Sequence, residues 1–174
     1  MKKLLLATLC LFSFAASAGT LESFFTKLEG HWEKRELDSY RETPDGEIIH
    51  SEGTKFSADV KRAGNTWNFT EAVCWKEEHK PEVCGEDTVS YVVDGDALSI
   101  LVGVTKIDVD VLEVDEDFLS MTFSTGDSTF LANLTVEGGE LSQDSVSESA
   151  DGSKDYQILR LTKQSVGKKL PSDH

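Results

Sequence analysis

The fold class of this chain is decided by residues 66–75, TWNFTEAVCW, in which the side chains alternate in character. The large apolar side chains share one set of alternate positions: Trp67, Phe69, Val73 and Trp75. A period of two with one apolar face is typical of a β-strand whose inner face packs in a core. Glu71 is the exception, because it interrupts the apolar face.

The same alternation recurs along most of the chain at spacings near ten residues. Strands are predicted at 31–41, 47–61, 66–75, 83–93, 97–104, 106–114, 118–125, 128–136, 141–149 and 156–162. Gly, Asp and Pro separate many of these segments, for example at Pro44-Asp45-Gly46, and such residues favour tight turns. Short links without intervening helices predict an all-β fold, an antiparallel up-and-down β-barrel of about 8–10 strands.

One short helix is predicted before the strands, at residues 20–28. Its apolar residues follow the helical spacing i, i+3, i+4 and i+7: Leu21, Phe24, Phe25 and Leu28. Thr20 is predicted to cap its start, and Gly30 follows its end. A helix this short needs an apolar surface on which to dock.

The first residues have the features of a cleavable export signal. The basic start Met1-Lys2-Lys3 precedes an apolar run and then the small residues Ala16-Ser17-Ala18. The run is shorter than the roughly 20 residues that a membrane-spanning helix needs. We therefore expect a signal peptide at 1–18, a β-barrel domain at 19–163 and a flexible C-terminal tail at 164–174. The expected location is the periplasm or the extracellular space, with no membrane span in the mature protein.

The chain is strongly acidic, with 32 Asp and Glu against 17 Lys and Arg and a formal net charge of −15. Removal of the signal takes away Lys2 and Lys3 and brings the charge to −17. Such a surface repels the phosphates of nucleic acids and anionic lipid head groups, so neither is an expected partner. The charge favours solubility or a cationic partner.

Two cysteines remain after signal removal, Cys74 and Cys84, and an even count in an oxidising compartment predicts a disulfide. Such a bond closes a small loop and is worth about 3 kcal/mol in the chain-entropy model. A metal site that includes His79 is the alternative, but metal sites favour closer Cys spacing and further ligands. No metal is therefore expected.

The sequence lacks the local motifs of common catalytic sites: the Gly-x-Ser-x-Gly elbow, His-Glu-x-x-His and the phosphate-binding glycine loop. We therefore expect a protein that is not an enzyme and that has no cofactor. An enzyme would need a pair of polar groups facing the barrel interior, and Glu71 alone does not supply one.

Three residues at the first and last predicted strands carry a family resemblance. Gly30 and Trp32 follow the predicted helix, and Arg160 lies in the last predicted strand. In this arrangement the chain resembles the calycin-like β-barrels, the group of the lipocalins and fatty-acid-binding proteins. The resemblance implies that Trp32 packs across the closed end of the barrel against Arg160. It also implies an interior that binds a small hydrophobic or amphipathic ligand.

A ligand of that kind would contact the side chains that the strand pattern turns inward. The predicted ligand-binding residues are Trp67, Phe69, Glu71, Val73, Trp75, Tyr91, Met121 and Phe123. Glu71 would anchor a polar group of the ligand. Alternatively, Glu71 lies at a wet end of the barrel, pairs with Lys or Arg, or is turned outward by a bulge.

The large apolar side chains could instead fill a narrow barrel completely. The protein would then be a protein–protein interaction or inhibitor module that acts through its surface loops. The loop at 76–82 is the expected contact for a protein partner, because charged side chains of both signs lie there between the two cysteines.

Overall fold

The structure, a computed structural model, describes residues 18–77 and 80–165. The predicted signal peptide apart from Ala18 lies outside the described residues, as do residues 166–174 of the predicted tail. In the described part of the chain, one helix precedes ten strands: α1 (Ala18–Leu28), β1 (Gly30–Glu42), β2 (Ile48–Ala63), β3 (Thr66–Glu77), β4 (Val83–Asp94), β5 (Ala97–Val102), β6 (Thr105–Val114), β7 (Phe118–Thr125), β8 (Ser128–Glu137), β9 (Glu140–Ser149) and β10 (Lys154–Gln164).

The strands form one closed antiparallel barrel with the simplest order of connections. Each strand pairs with its neighbours in the chain, and β1 closes the barrel by pairing with β10. Successive strands are joined by short links such as the turn after β1, where the Gly46 amide donates to the Thr43 carbonyl at 2.9 Å. The prediction of an all-β, up-and-down barrel with a short N-terminal helix is confirmed.

Helix α1 closes one end of this barrel. Its four apolar side chains are each at most 2% exposed: Leu21, Phe24, Phe25 and Leu28. Phe25 packs on the ring of Trp67, with 5.6 Å between ring centroids. On the polar side of the helix, Lys27 Nζ lies 2.6 Å from the Asp117 carboxylate in the β6–β7 turn. Apolar and polar contacts together hold the helix across the end of the barrel.

The start of α1 differs from the prediction. The helix already includes Ala18 and Gly19, so Thr20 is a residue of the helix and not its N-cap. Ala has the highest helix propensity of all residues, which favours an earlier start than a capping pattern alone indicates. The described residues contain no helix with the length and apolar character that a membrane crossing needs.

The cation at the closed end is Lys163, and not Arg160 as predicted. Lys163 is the partner of Trp32 in the β1–β10 pair, and its Nζ lies 5.3 Å from the centre of the Trp32 ring. The same Nζ donates a 2.9 Å hydrogen bond to the carbonyl of Lys27 in α1. Arg160 has the opposite parity in β10, so its side chain lies on the outer face, 2.8 Å from Asp144.

Strand β4 extends past β5 and leaves a low place in the barrel wall. Residues 89–94 pair with β5, whereas in the described chain residues 83–88 pair only with β3. β5 stops early because Gly103 and Val104 form a turn, in which Gly103 has a φ of 60°. The predicted strand at 97–104 therefore ends too late, and Val104 is fully exposed.

A disulfide joins Cys74 to Cys84, as predicted. The two residues lie directly opposite each other in the β3–β4 pair. Because this part of β4 has β3 as its only described neighbour, the disulfide holds the overhanging strand at the point where the sheet supports it least.

A bulge in β2 brings Gly53 against the core. A Cβ atom at Gly53 would lie within 2.8 Å of Leu37 Cβ and closer still to the rest of that side chain. Leu37 is 1% exposed, so it has no free space into which to move. Only glycine fits at this position without displacing the core.

We expect Gly53→Ala to lower the free energy of unfolding by about 1–3 kcal/mol, because it overpacks the core against Leu37. Gly85→Ala is the matched control, since a Cβ there meets nothing within 4 Å. Urea denaturation measures both variants. Equal stabilities would show that Leu37 can yield and that the close approach imposes no constraint.

We expect Lys163→Met to lower the free energy of unfolding by about 1–2 kcal/mol, because it leaves the Lys27 carbonyl without its donor and removes the cation over Trp32. Arg160→Met is expected to cost less, about 1 kcal/mol or below, because the ion pair with Asp144 and the hydrogen bonds to the Gln143 and Leu159 carbonyls lie on the outer face, where water can replace them. Thermal unfolding ranks the two variants. The reverse ranking would show that Arg160, and not Lys163, is the cation that stabilises the closed end.

Candidate functional site

The half of the barrel opposite α1 holds a cavity of about 310 Å³. The apolar part of its wall lies on β4, β7 and β8: Tyr91, Met121, Phe123, Phe130 and Ala132. Phe123 and Phe130 are cross-strand partners with parallel stacked rings, 4.9 Å between centroids. These side chains offer a continuous surface to the hydrophobic part of a ligand.

The opposite wall of this cavity is polar. Inward-facing side chains of β1, β9 and β10 form it: Ser39, Gln143, Ser145, Ser147, Asp155 and Gln157. In β10 these positions alternate with Tyr156 and Ile158 on the outer face, which reverses the usual arrangement of polar and apolar faces. One apolar wall and one hydrogen-bonding wall suit an amphipathic ligand.

A second cavity, of about 500 Å³, lies at the mouth of the barrel. Ser39 borders both cavities. The β3–β4 side of the mouth contributes Trp75, Glu77, Lys80, Pro81 and Val83. Three residues of the 76–82 loop, Glu77, Lys80 and Pro81, therefore border the way into the barrel, while residues 78 and 79 lie outside the described chain.

Glu71 lies on the inner face of β3, at the floor of the 310 Å³ cavity, which is called the main cavity below. It borders a small void together with Tyr91, Met121 and Gln143, which also line the main cavity. Among the described residues, none forms a hydrogen bond or ion pair with its carboxyl group. Burial raises the pKa of Glu71 to about 7, and the negative charge of Asp87, its partner in β4, adds to the rise.

Tyr91 is the second polar group at this floor. Its ring packs between Phe25 and Phe69, with centroids 5.2 Å and 5.0 Å away. Burial, and secondarily the charge of Glu71, raises the pKa of the Tyr91 hydroxyl well above its ordinary value. The hydroxyl therefore remains a neutral group that can donate a hydrogen bond across the whole working pH range.

The predicted ligand-binding residues separate by their height in the barrel. The cavity, its floor or its mouth includes Phe69, Glu71, Trp75, Tyr91, Met121 and Phe123. Trp67 belongs instead to the closed end, where it is fully buried and its Nε1 donates to Glu29 at 3.2 Å. Val73 packs against the edge of the core. Trp67 and Val73 therefore stabilise the barrel around the cavity.

The polar wall is the part of the site that the sequence pattern did not indicate. Polar residues of an alternating strand are ordinarily assigned to the outer face. Parity contains the missing signal, because Gln143 and Ser145 follow the buried Leu141 at steps of two, and Gln157 precedes the buried Leu159 in the same way.

One cluster has the spacing of metal ligands but not their chemistry. The Cys74 and Cys84 sulfurs and a Glu82 carboxylate oxygen lie within 4.8 Å of one another. The sulfurs are bonded to each other, so neither is a thiolate that could bind a metal ion.

No protein-family model matches the sequence, and comparison with curated proteins gives no match. Solved structures do resemble the barrel. An S-type phycobiliprotein lyase, CPES, from Guillardia theta superposes with a TM-score of 0.65 at 7% identity, over 85% of this chain and 94% of that one. A protein of unknown function from the DUF3598 family of Nostoc punctiforme gives 0.47 at 8% identity, over 80% and 49%.

The zebrafish ileal bile acid-binding protein complexed with cholic acid gives a TM-score of 0.39 at 14% identity, over 79% of this chain and 99% of that one. Likeness at such low identity concerns the fold alone. The likeness to the phycobiliprotein lyase, together with the closed ten-strand barrel, confirms the calycin-like fold that Gly30 and Trp32 indicate.

We expect Glu71→Gln to raise the free energy of unfolding at about pH 8 by about 1–3 kcal/mol. The pKa of Glu71 is about 7 in the folded protein against an ordinary value of 4.5, so between these values the folded state binds more protons than the unfolded state. The wild type therefore loses stability as pH rises through this interval, and the variant lacks that loss.

The measurement is the difference in unfolding free energy between variant and wild type across this pH interval. Glu86→Gln is the control, because Glu86 is exposed and has the opposite parity in β4. A difference for Glu71→Gln that stays constant with pH would mean that the carboxyl group is not buried as the structure has it.

Proposed function

We propose that this protein is an exported binding protein that holds a small amphipathic molecule inside the open half of its barrel, without catalysing a reaction. The observation that carries this proposal is the 310 Å³ cavity with one aromatic wall and one polar wall. A barrel packed throughout, as an interaction module would have, leaves no such space. The calycin-like fold and the mouth cavity next to it support the same function.

Export is supported by two separate features. The segment 1–18 has the organisation of a cleavable signal, and helix α1 of the barrel domain begins at Ala18, the last residue of that segment. The Cys74–Cys84 disulfide is typical of oxidising compartments such as the periplasm and the extracellular space. We propose one of these compartments as the place where the protein meets its ligand.

The absence of catalysis is the part of the proposal that the fold does not decide, since a barrel of this fold is named a lyase. A serine nucleophile needs a base within hydrogen-bond reach. Among the described residues, no side-chain hydrogen bond joins Ser39, Ser145 or Ser147 of the cavity wall to a histidine or a carboxylate. In the described part of the chain, the Glu71 carboxyl group also has no hydrogen-bond partner with which to share a proton.

We expect native mass spectrometry of residues 19–174, purified from an exporting host, to show an extra mass that disappears on denaturation. Ala132→Phe is expected to abolish it, because the Ala132 side chain faces the cavity and a phenyl ring would fill the space. Leu131→Phe is the matched control, since the adjacent Leu131 is 37% exposed on the outer face.

The two variants distinguish an interior ligand from one bound elsewhere. Equal loading of Ala132→Phe and Leu131→Phe would move the ligand out of the barrel. A wild type that stays free of ligand after incubation with amphiphiles would favour the rival function, a protein-interaction module acting through the 76–82 loop.

A further inference from the structure

We propose that the ligand is a cationic amphiphile, whose hydrophobic part lies against Phe123 and Phe130 and whose amine lies at Glu71 and Asp87. This inference rests on the proposed function and specifies the charge of the ligand.

Two acidic residues of β3 and β4, Glu71 and Asp87, have no basic partner among the described residues, whereas Asp155 of the cavity wall is paired with Arg41. Glu71 and Asp87 lie opposite each other in the β3–β4 pair, so their side chains share the inner face of the sheet. Glu71 has no described hydrogen-bond or ion-pair partner at the floor. Asp87 is exposed, and in the described chain its carboxylate accepts only the amide of the next residue, Thr88, at 2.7 Å.

The basic groups near the cavity are already engaged. Arg41 pairs with Asp155 at 2.7 Å on the rim. Lys80 pairs with Glu77 at the mouth. Lys34, which has the parity of Trp32 in β1, donates to the Gly53 carbonyl. An anionic head group would have to break one of these contacts, whereas a cationic one meets two carboxyl groups, Glu71 and Asp87, that have no basic partner among the described residues.

The overhang of β4 makes the position accessible to a charged group. Residues 83–88 have no β5 neighbour in the described chain, so Asp87 borders the low place in the wall. An ammonium group placed there keeps part of its hydration, which lowers the desolvation cost of a buried ion pair. The hydrophobic part of the ligand extends from this point toward the stacked rings.

The neighbours of Glu71 also set how binding depends on pH. Asp87 faces it from β4, Ala58 is its partner in β2, and Tyr91 and Gln143 border the same void. Of these, Asp87 is the neighbour whose negative charge opposes ionisation of Glu71 and so raises the pKa of Glu71. A bound ammonium reverses this effect, so amine affinity should rise with pH as Glu71 ionises.

The test compares decylamine, decanol and decanoate, which share one chain and differ in head group, by calorimetric titration of the delipidated mature protein. At about pH 8.5 we expect decylamine to bind at least about tenfold more tightly than decanoate and more tightly than decanol. At about pH 5.5 the advantage over decanol should shrink, because Glu71 is then protonated.

Glu71→Gln should weaken decylamine binding about tenfold at the higher pH and leave decanol binding unchanged. Glu86→Gln, beside Asp87 on the opposite face of β4, should change neither. Binding of decanol or decanoate with no preference for the amine would overturn this inference and leave the proposed function standing. Failure of all three probes to bind would overturn both.

Discussion

The docking of α1 onto Trp32 and Trp67 is the constraint on which the rest of this molecule depends. A barrel of ten strands is wider than the eight-strand barrels whose own side chains just fill the interior. Here Phe24 and Phe25 of the helix supply the missing volume at one end. Because the buried core is concentrated there, the other half of the barrel can remain hollow and polar on one side without losing the fold.

The division between a packed and a hollow end also explains where the disulfide lies. The part of β4 that precedes Val89 lies at the hollow half of the barrel, and its residues 83–88 are all exposed. Apolar burial therefore cannot hold this strand, and the Cys74–Cys84 bond does so instead. Glu86 and Asp87 place negative charge on an otherwise unpaired strand edge, which discourages pairing with a second chain.

The alternation of residues predicts which face of the barrel a side chain takes, but not its height along the barrel axis. The class of fold, the helix and the disulfide follow from the sequence because each depends on local pattern. Trp67 and Phe123 have the same pattern, yet one is sealed under α1 and the other lines the cavity. That difference depends on where the helix docks. The polar wall was not predicted because polar side chains such as Gln143 and Gln157 are typical of an outer face, whereas here they lie on the inner face.

Glu71 shows how a residue that costs stability indicates function. A carboxyl group buried beside a second carboxylate, without a described partner, opposes folding at neutral pH, and an amide or an apolar side chain would serve the barrel better. Proteins retain such destabilising residues mainly at functional sites. The hollow half of the barrel is also loosely packed around Glu71, so the polar wall of the cavity and the buried carboxyl group have one explanation. The proposed function accounts for both, because a bound amphiphile with an amine would supply the positive charge and the apolar contacts that this half of the barrel lacks.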